Sequence, residues 1–166
     1  MKSMLLDCIL TASDLNPIYV DFIPLFINSW KQLIPIIDVK IILIADSLPN
    51  NLLQYADNII VFPPISGIAT AFIAQYVRIL YPALLKKPNN GILITDVDMM
   101  PMNAHYYIDN IKHINDDCFV CYRNIGSNKK EIPIAYNVAR SSTWREIFNI
   151  HSVDDIRKQL IDIHSK

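Results

Sequence analysis

Two aspartates, Asp96 and Asp98, are the residues whose type and spacing point most directly to chemistry. They follow an apolar run, residues 92–95, that has the pattern of a buried strand. If the chain is still extended there, residues two apart project to the same side. Two carboxylates that converge at a partly desolvated edge repel each other unless a cation compensates, and Mg²⁺ or Mn²⁺ is the usual partner. Because such an ion bridges carboxylates to diphosphate oxygens, the pair predicts a metal-assisted diphosphate site. The alternative is an ordinary solvated acidic turn.

The elements that must position these aspartates alternate between short apolar runs and longer helical patterns. Four runs have the continuous hydrophobicity of parallel strands that are covered on both faces: residues 4–11, 39–45, 58–62 and 92–95. Ligands of such sheets collect at the carboxyl ends of the strands. We therefore expect an α/β sandwich, with a central, mostly parallel sheet and helices on both faces.

Helix signals lie between the predicted strands. Asn16 and Pro17 are a favoured N-cap and first helical residue, and Pro24 is expected to kink this helix or delay its start. A second helix is expected after Gly67. Its apolar stripe faces the core and leaves Arg78 on a flank beside the carboxyl edge of the sheet, where a guanidinium can take a phosphate or a carboxylate.

The second half of the sequence is less regular. We expect a helix over residues 104–113, a strand over 118–122, a polar loop over 123–131 and an extended segment over 132–139. Pro133 suggests that this segment is an edge strand. Thr143 with Glu146, and Ser152 with Asp155, have capping-box spacing and predict two final helices.

Composition excludes several classes of protein. The 166 residues are 52% hydrophobic and 19% charged, which fits one folded domain over residues 1–166. The net charge of −1 gives no long-range attraction to nucleic acid or anionic lipid. Residues 1–12 superficially resemble a signal peptide, but Asp7 interrupts the apolar run, so a first core strand is the better interpretation. Without a membrane span or an Asn-x-Ser/Thr acceptor site, we expect a soluble, intracellular (cytoplasmic) chain.

The three cysteines do not predict a metal site. Cys118 and Cys121 have CxxC spacing, but on a strand residues three apart point to opposite faces. We expect reduced, structural cysteines.

The segment Ile92-Leu93-Ile94-Thr95-Asp96-Val97-Asp98-Met99-Met100-Pro101 resembles the DxD segment of the GT-A glycosyltransferases. The preceding stretch, residues 78–85, is similar to the helix before that strand, and residues 135–139 with 143–145 are similar to a segment on the acceptor side. The likeness is closest to small, virus-type single-domain members. It implies a nucleotide-sugar-binding half, residues 1–103, and an acceptor-side half, residues 104–166.

The resemblance implies transfer of a sugar from a UDP- or GDP-sugar donor to an acceptor hydroxyl of a glycan or glycoconjugate, with Mn²⁺ or Mg²⁺. It implies that Asp98 binds the metal directly and that Asp96 reaches the ribose or a metal-bound water. Arg78 would lie under the donor phosphates or sugar; alternatively it is solvated or a structural partner of Asp96. The implied nucleotide-sugar-binding residues are Thr11, Ala12, Ser13, Asp46, Arg78, Asp96, Val97 and Asp98.

The remaining roles that the resemblance implies fall late in the chain. Asp155 or Asp154, at the start of a late helix, would remove the acceptor's proton, although Asp155 also matches a capping role; Glu131 is a weaker candidate. A late histidine, His164 or His151, would complete the metal site, although each also fits a plain surface histidine. Possible acceptor-platform residues are Tyr136, Asn137 and Trp144, of which Trp144 fits the core equally well.

Two other interpretations stay open. A haloacid-dehalogenase-type phosphatase also has an aspartate motif after a strand, but that motif normally opens the fold, whereas 95 residues precede Asp96. A non-catalytic nucleotide-sugar-binding module, alone or within a longer protein that supplies other domains, fits the short acceptor half.

Overall fold

The computed structural model describes residues 2–86, 90–123 and 133–166. Six strands form one sheet: β1 (Leu6–Asp14), β2 (Asp38–Ile44), β3 (Ile59–Phe62), β4 (Gly91–Ile94), β5 (Val120–Cys121) and β6 (Asn137–Arg140). The α-helices are α1 (Pro17–Val20), α2 (Phe22–Leu33), α3 (Thr70–Leu80), α4 (Ala104–Asp109), α5 (Ser141–Phe148) and α6 (Val153–His164). Two 3₁₀-helices span Asn50–Asn58 and Tyr81–Leu84.

The strand order in the sheet is β3-β2-β1-β4-β6-β5. β3, β2, β1 and β4 pair in parallel, and β6 is antiparallel to both β4 and β5. The predicted α/β fold with a mostly parallel sheet is therefore confirmed. The prediction of an edge strand at Pro133 is wrong, because the strand begins only at Asn137 and lies between two neighbours.

The sheet is covered on both faces by apolar side chains. Along β1, Ile9 belongs to the core that contains α2, whereas Cys8 and Leu10 belong to the core that contains α3, α5 and α6. Successive side chains of a strand point to opposite faces of the sheet. Because both faces are buried here, successive positions of a strand can all be apolar, which explains the continuous apolar runs in the sequence. The largest buried side chain of each core is a tryptophan, Trp30 or Trp144.

The first helix begins where the sequence predicts. The side chain of Asn16 accepts a hydrogen bond from the Ile18 N–H, and Pro17 occupies the first turn. α1 ends at Val20, and α2 then carries Pro24 in its own first turn, where no intrahelical N–H is needed. Pro24 thus lies where a helix restarts, as its position indicated.

Elements of the second half depart more from the predictions. α4 ends at Asp109 rather than at residue 113, and β5 has two residues rather than five. The capping box at Thr143 is wrong, because α5 already begins at Ser141 and the Thr143 hydroxyl donates to the Asp117 carbonyl oxygen at 3.3 Å. Cys118 and Cys121 are free and exposed. Among the described residues, no helix has the length and apolarity needed to cross a membrane.

Candidate active site

A cavity of about 410 Å³ opens at the carboxyl ends of β1 and β4, against one flank of α3. This is the edge where parallel sheets bind their ligands. We call it the first cavity. The described residues that line it are Ala12, Ser13, Asp14, Tyr19, Ala71, Ala74, Gln75, Arg78, Asp96, Val97, Asp98 and Met99.

Asp96 and Asp98 both line the first cavity, but not through an extended backbone. β4 ends at Ile94, and the Met99 N–H donates to the Asp96 carbonyl oxygen at 3.2 Å, which closes a tight turn. The premise that these carboxylates project together from a strand is therefore wrong. The turn brings both to the cavity and buries Val97 between them in the core.

Arg78 is buried, and its guanidinium contacts both the Asp96 carboxylate and the Thr95 carbonyl oxygen, the latter at 3.2 Å. The sequence-based alternative of a partner for Asp96 is thus what the structure shows. Arg78 also lines the first cavity, so the same side chain is available to a ligand there. Its Nε is buried and has no hydrogen-bond partner among the described residues.

Asp14 is a cavity residue that sequence reasoning missed. It is buried at the last position of β1; its Oδ2 accepts a hydrogen bond from the Thr70 hydroxyl at 2.8 Å, and its Oδ1 accepts from the Asn16 N–H at 3.1 Å. The predicted strand ended at Thr11. A strand extended by three residues would have placed Asp14 at the same carboxyl edge as Asp96.

The first cavity is electrically unbalanced. Of the described residues, three carboxylates (Asp14, Asp96 and Asp98) and one guanidinium (Arg78) line it, so the fixed charge that these residues place there is net negative. Asp96 is partly compensated by Arg78, whereas no hydrogen bond or ion pair engages the Asp98 carboxylate within the described parts of the chain. A diphosphate would be repelled here unless a cation accompanied it.

The carboxylates of the first cavity fit a hard divalent ion that takes most of its coordination from a bound phosphate and water. No group of three His, Cys, Asp or Glu side chains is arranged to hold a metal in residues 2–86, 90–123 and 133–166. Mg²⁺ in phosphate sites, however, usually takes one or two carboxylates and completes its shell with phosphate oxygens and water. Asp98 and Asp96 can supply that share.

His164 does not complete such a site. It lies exposed in the last turn of α6, and its ring contacts Phe72 edge-on with 5.2 Å between centroids. Phe72 packs against the core that contains α3, α5 and α6 and does not line the first cavity. His151 is also exposed, next to the N-terminus of α6. The structure therefore brings neither histidine to the aspartates.

Asp155 and Asp154 lie at the N-terminus of α6 and do not line the first cavity. Asp155 forms the capping box: its carboxylate accepts from the Ser152 N–H and its own N–H donates to the Ser152 hydroxyl, at 2.9 and 3.1 Å. The backbone N–H of His151, together with Ser152, holds the pKa of Asp155 below its usual value. The capping alternative is thus the one observed. Glu131 lies outside the described residues.

Two predicted nucleotide contacts lie away from the first cavity. Thr11 is fully buried within β1, and its hydroxyl has no hydrogen-bond partner among the residues described. Asp46 is exposed beyond the end of β2 and is not part of the cavity wall. Their neighbours Ala12 and Ser13 do line the cavity, because β1 continues to Asp14.

The predicted acceptor platform is divided between separate places. Trp144 is fully buried between Phe119 and Phe148, and its indole N–H donates to the Ala139 carbonyl oxygen at 3.2 Å. Asn137 is buried, and its amide donates to the carbonyl oxygens of Pro133 and Ile134. The structure therefore does not bring these two side chains together with Tyr136 in one cavity.

Tyr136 lines a second cavity, of about 340 Å³. Its other lining residues are Met100, Met102, Asn103, Tyr106, Tyr107 and Arg123. Tyr136 has a φ of 64°, which is strained for an aromatic residue and costs on the order of 1–3 kcal/mol. Its N–H donates to the Ile94 carbonyl oxygen and its carbonyl oxygen accepts from the Tyr122 N–H, at 2.7 and 2.9 Å, which hold the strained conformation. Burial raises the pKa of Tyr107 and of Tyr122, so both hydroxyls stay neutral.

Solved structures with a similar fold are glycosyltransferases. The apo-form glycosyltransferase GlyE of Streptococcus pneumoniae TIGR4 has a TM-score of 0.60 at 14% identity, over 98% of this chain and 39% of GlyE. The galactosyltransferase LgtC, in complex with donor and acceptor sugar analogs, has a TM-score of 0.53 at 12% identity, over 95% of this chain and 65% of LgtC. No protein-family model and no curated protein matches the sequence. The chain therefore has the fold of these glycosyltransferases and spans 39% to 65% of their length.

Proposed function

We propose that this chain is a metal-dependent glycosyltransferase that binds a UDP- or GDP-sugar in the first cavity and transfers the sugar to an acceptor hydroxyl. The observation that carries the proposal is the set of three carboxylates and one guanidinium at the carboxyl edge of the sheet. The fold of the similar glycosyltransferases supports the same reaction class.

The charged residues of the first cavity have parts in this function that follow from their positions. Asp98, exposed and without a partner among the described residues, would hold Mn²⁺ or Mg²⁺ together with Asp96. When bound, the ion takes up the charge that develops on the departing diphosphate. Arg78 fixes Asp96 and presents the remaining guanidinium N–H groups to a phosphate.

The end of β1 supplies the polar groups for the nucleoside. Ala12 and Ser13 form the cavity wall there, and Asp14 is fixed by the Thr70 hydroxyl and the Asn16 N–H. A carboxylate held in this way can accept a hydrogen bond from a base or a ribose without reorienting. We therefore assign the nucleoside to the β1 side of the cavity and the diphosphate to the Asp96–Asp98 turn.

The proposal predicts a metal-dependent stabilisation by nucleotide. A UDP- or GDP-sugar at a hundred times its Kd, with Mn²⁺, should add about 2.7 kcal/mol to the free energy of unfolding. For a chain of this size the Tm should then rise by roughly 5–10 °C. Asp98→Asn should abolish the Mn²⁺-dependent part, because the amide lacks the negative charge that holds the ion. Thermal denaturation, with and without Mn²⁺, measures both quantities.

A matched control variant is Asp154→Asn, which removes an exposed carboxylate remote from the first cavity. It should keep the full response to nucleotide and Mn²⁺. A full response in Asp98→Asn as well would refute the assignment of the metal to this turn.

A non-catalytic nucleotide-sugar-binding module is the second candidate. One observation favours it: the predicted bases Asp154 and Asp155 lie outside the first cavity. Hydrolysis or transfer across a panel of UDP- and GDP-sugars distinguishes the two functions. Turnover that Asp98→Asn eliminates supports the enzyme, whereas stabilisation by nucleotide without any turnover supports the binding module.

A further inference from the structure

The second cavity borders the same loop as the first. Asp96–Met99 lies along the first cavity, and Met100, Met102 and Asn103 lie along the second. A ligand in the second cavity would therefore be next to a sugar held at the first. This adjacency makes the second cavity a place for the acceptor, an inference that rests on the proposed function.

Aromatic rings give the second cavity surfaces on which a sugar ring can pack. Tyr106 and Tyr107 come from α4, and Tyr136 directly precedes β6. The Tyr107 and Tyr136 rings lie 5.6 Å apart between centroids, and their hydroxyl oxygens are 3.4 Å apart. Backbone hydrogen bonds to Ile94, the last residue of β4, and to Tyr122, which directly follows β5, hold Tyr136 in its left-handed conformation, so this wall is fixed to the edge of the sheet.

The charge of the second cavity is opposite to that of the first. The Arg123 guanidinium carbon lies 4.6 Å from the centroid of the Tyr136 ring, and no acidic side chain lines this cavity among the residues described. Stacking occupies a face of the guanidinium and leaves N–H groups at its edge free to donate, which suits bidentate recognition of a planar or tetrahedral anion. The Asn103 amide adds a neutral polar group to the wall.

We propose that the second cavity binds the acceptor, and that the acceptor is a sugar with an anionic group, a carboxylate or a phosphate ester, that Arg123 recognises. The tyrosines pack against the ring, and Arg123 selects the charge. A neutral sugar would leave the guanidinium without its counter-charge and bind more weakly.

The test is equilibrium binding of matched sugars to the full chain, measured by titration calorimetry with and without UDP or GDP plus Mn²⁺. Each neutral methyl hexoside (gluco, galacto and manno) is compared with its uronic acid and its 6-phosphate. A charge-assisted pair predicts that an anionic member binds at least about tenfold more tightly than its neutral counterpart. The uronic acid and phosphate arms identify which anion the site takes.

Arg123→Gln should remove this preference, and Arg123→Lys should restore part of it. The matched control is Arg157→Gln: Arg157 also lies over an aromatic ring, 5.9 Å from the Phe62 centroid, but lines neither cavity. It should keep the whole preference. Equal binding of neutral and anionic members, a preference that survives Arg123→Gln, or no binding by any member would overturn the proposal.

The stabilisation by nucleotide and Mn²⁺ separates the two hypotheses. If it is intact in the wild type and Arg123→Gln while no anionic preference exists, only the acceptor inference fails. If it is absent while an Arg123-dependent preference exists, the donor assignment fails and the anionic sugar site stands.

Discussion

Among the residues that the structure describes, one guanidinium offsets the carboxylates of the first cavity. Arg78 is buried and contacts Asp96, whose side chain is 33% exposed, so the contact is partly screened by solvent. Asp14 and Asp98 are not paired with a cationic side chain within the described part of the chain. The described lining of the cavity therefore has one cationic side chain for three carboxylates, and an added cation should substitute for Arg78 if that residue is lost.

Arg78→Gln tests this substitution. The variant should lose about 1–3 kcal/mol of stability, because a buried partner of Asp96 is removed. Mn²⁺ alone should then raise its Tm by roughly 2–4 °C more than that of the wild type, equivalent to about 1 kcal/mol. The control is Arg145→Gln, since Arg145 is an exposed arginine that donates to the Ala83 carbonyl oxygen instead of a carboxylate. Equal Mn²⁺ responses in all three proteins would contradict the cavity's charge imbalance.

Residues that follow a strand could be placed from the sequence, and residues whose role depends on packing between distant segments could not. Asp96, Asp98 and Ala12 come directly after or within apolar runs, so the sheet edge was predictable for them. His164 depends on where α6 docks against α3, which no local spacing encodes. Asp14 was missed because the predicted strand ended too early.

At the N-terminus of α6, the same acidic residues fit two hypotheses, a helix cap and a catalytic base. Ser152 and Asp155 satisfy the N–H groups that a helix start leaves unpaired, so this helix is specified locally. Acidic residues near a helix start are favoured for that reason alone. The sequence could therefore predict the helix but could not separate a cap from a catalytic base.

Ser152→Ala should lower the free energy of unfolding by about 1 kcal/mol, because the hydroxyl that accepts from the Asp155 N–H is lost. The Tm should fall by roughly 2–4 °C, and hydrolysis of the donor should be unchanged. Thermal denaturation and the nucleotide-sugar panel provide the two measurements. Loss of turnover without loss of stability would show that this helix start belongs to the chemistry after all.

Asp155→Asn adds a pH dependence to the same test. The folded state holds the pKa of Asp155 below its unfolded value of 3.8, so the ionised carboxylate stabilises the fold at pH values above that value. This contribution disappears as the pH falls through the lowered pKa. The wild type should be more stable than Asp155→Asn at pH 7, and the difference should shrink once the pH falls below 3.8 and vanish only below the lowered pKa. Asp154→Asn is the control; a difference independent of pH would contradict the capping role.

Boundaries of elements were predictable where local signals coincide with burial. The N-cap at Asn16 and the apolar stripe of α3 are strong local signals, and both elements were found. β5 and β6 are short and form only by pairing with each other and with β4. The lengths of these two strands are therefore determined by pairing within the sheet. The apolar patterns over residues 118–122 and 132–139 predicted that strands occur there but did not give their lengths.

At the scale of the whole molecule, the two predicted halves share one sheet and both of the cores that cover it. β6 pairs with β4, and Ala139 of β6 lies beside Ile92 in the register. α5 and α6 then cover the face of the sheet that carries Ile92 and Ile94. The boundary at residue 103 therefore separates two functions that the resemblance implied. It does not separate two folding units, because the sheet and its cores extend across it.

A fragment of residues 1–103 should consequently not fold alone. Its β4 would have an unpaired edge, because β6 would be missing. The apolar side chains that pack against Trp144, α5 and α6 would be exposed to water. Circular dichroism should show no cooperative thermal transition, and nucleotide with Mn²⁺ should not restore one. The matched comparison is co-expression with residues 104–166, which should recover a cooperative transition if the missing strand and helices are the cause. A fragment that melts cooperatively and is stabilised by nucleotide would mean that the first cavity needs only β1, β4 and α3, and that the acceptor side is a separate unit.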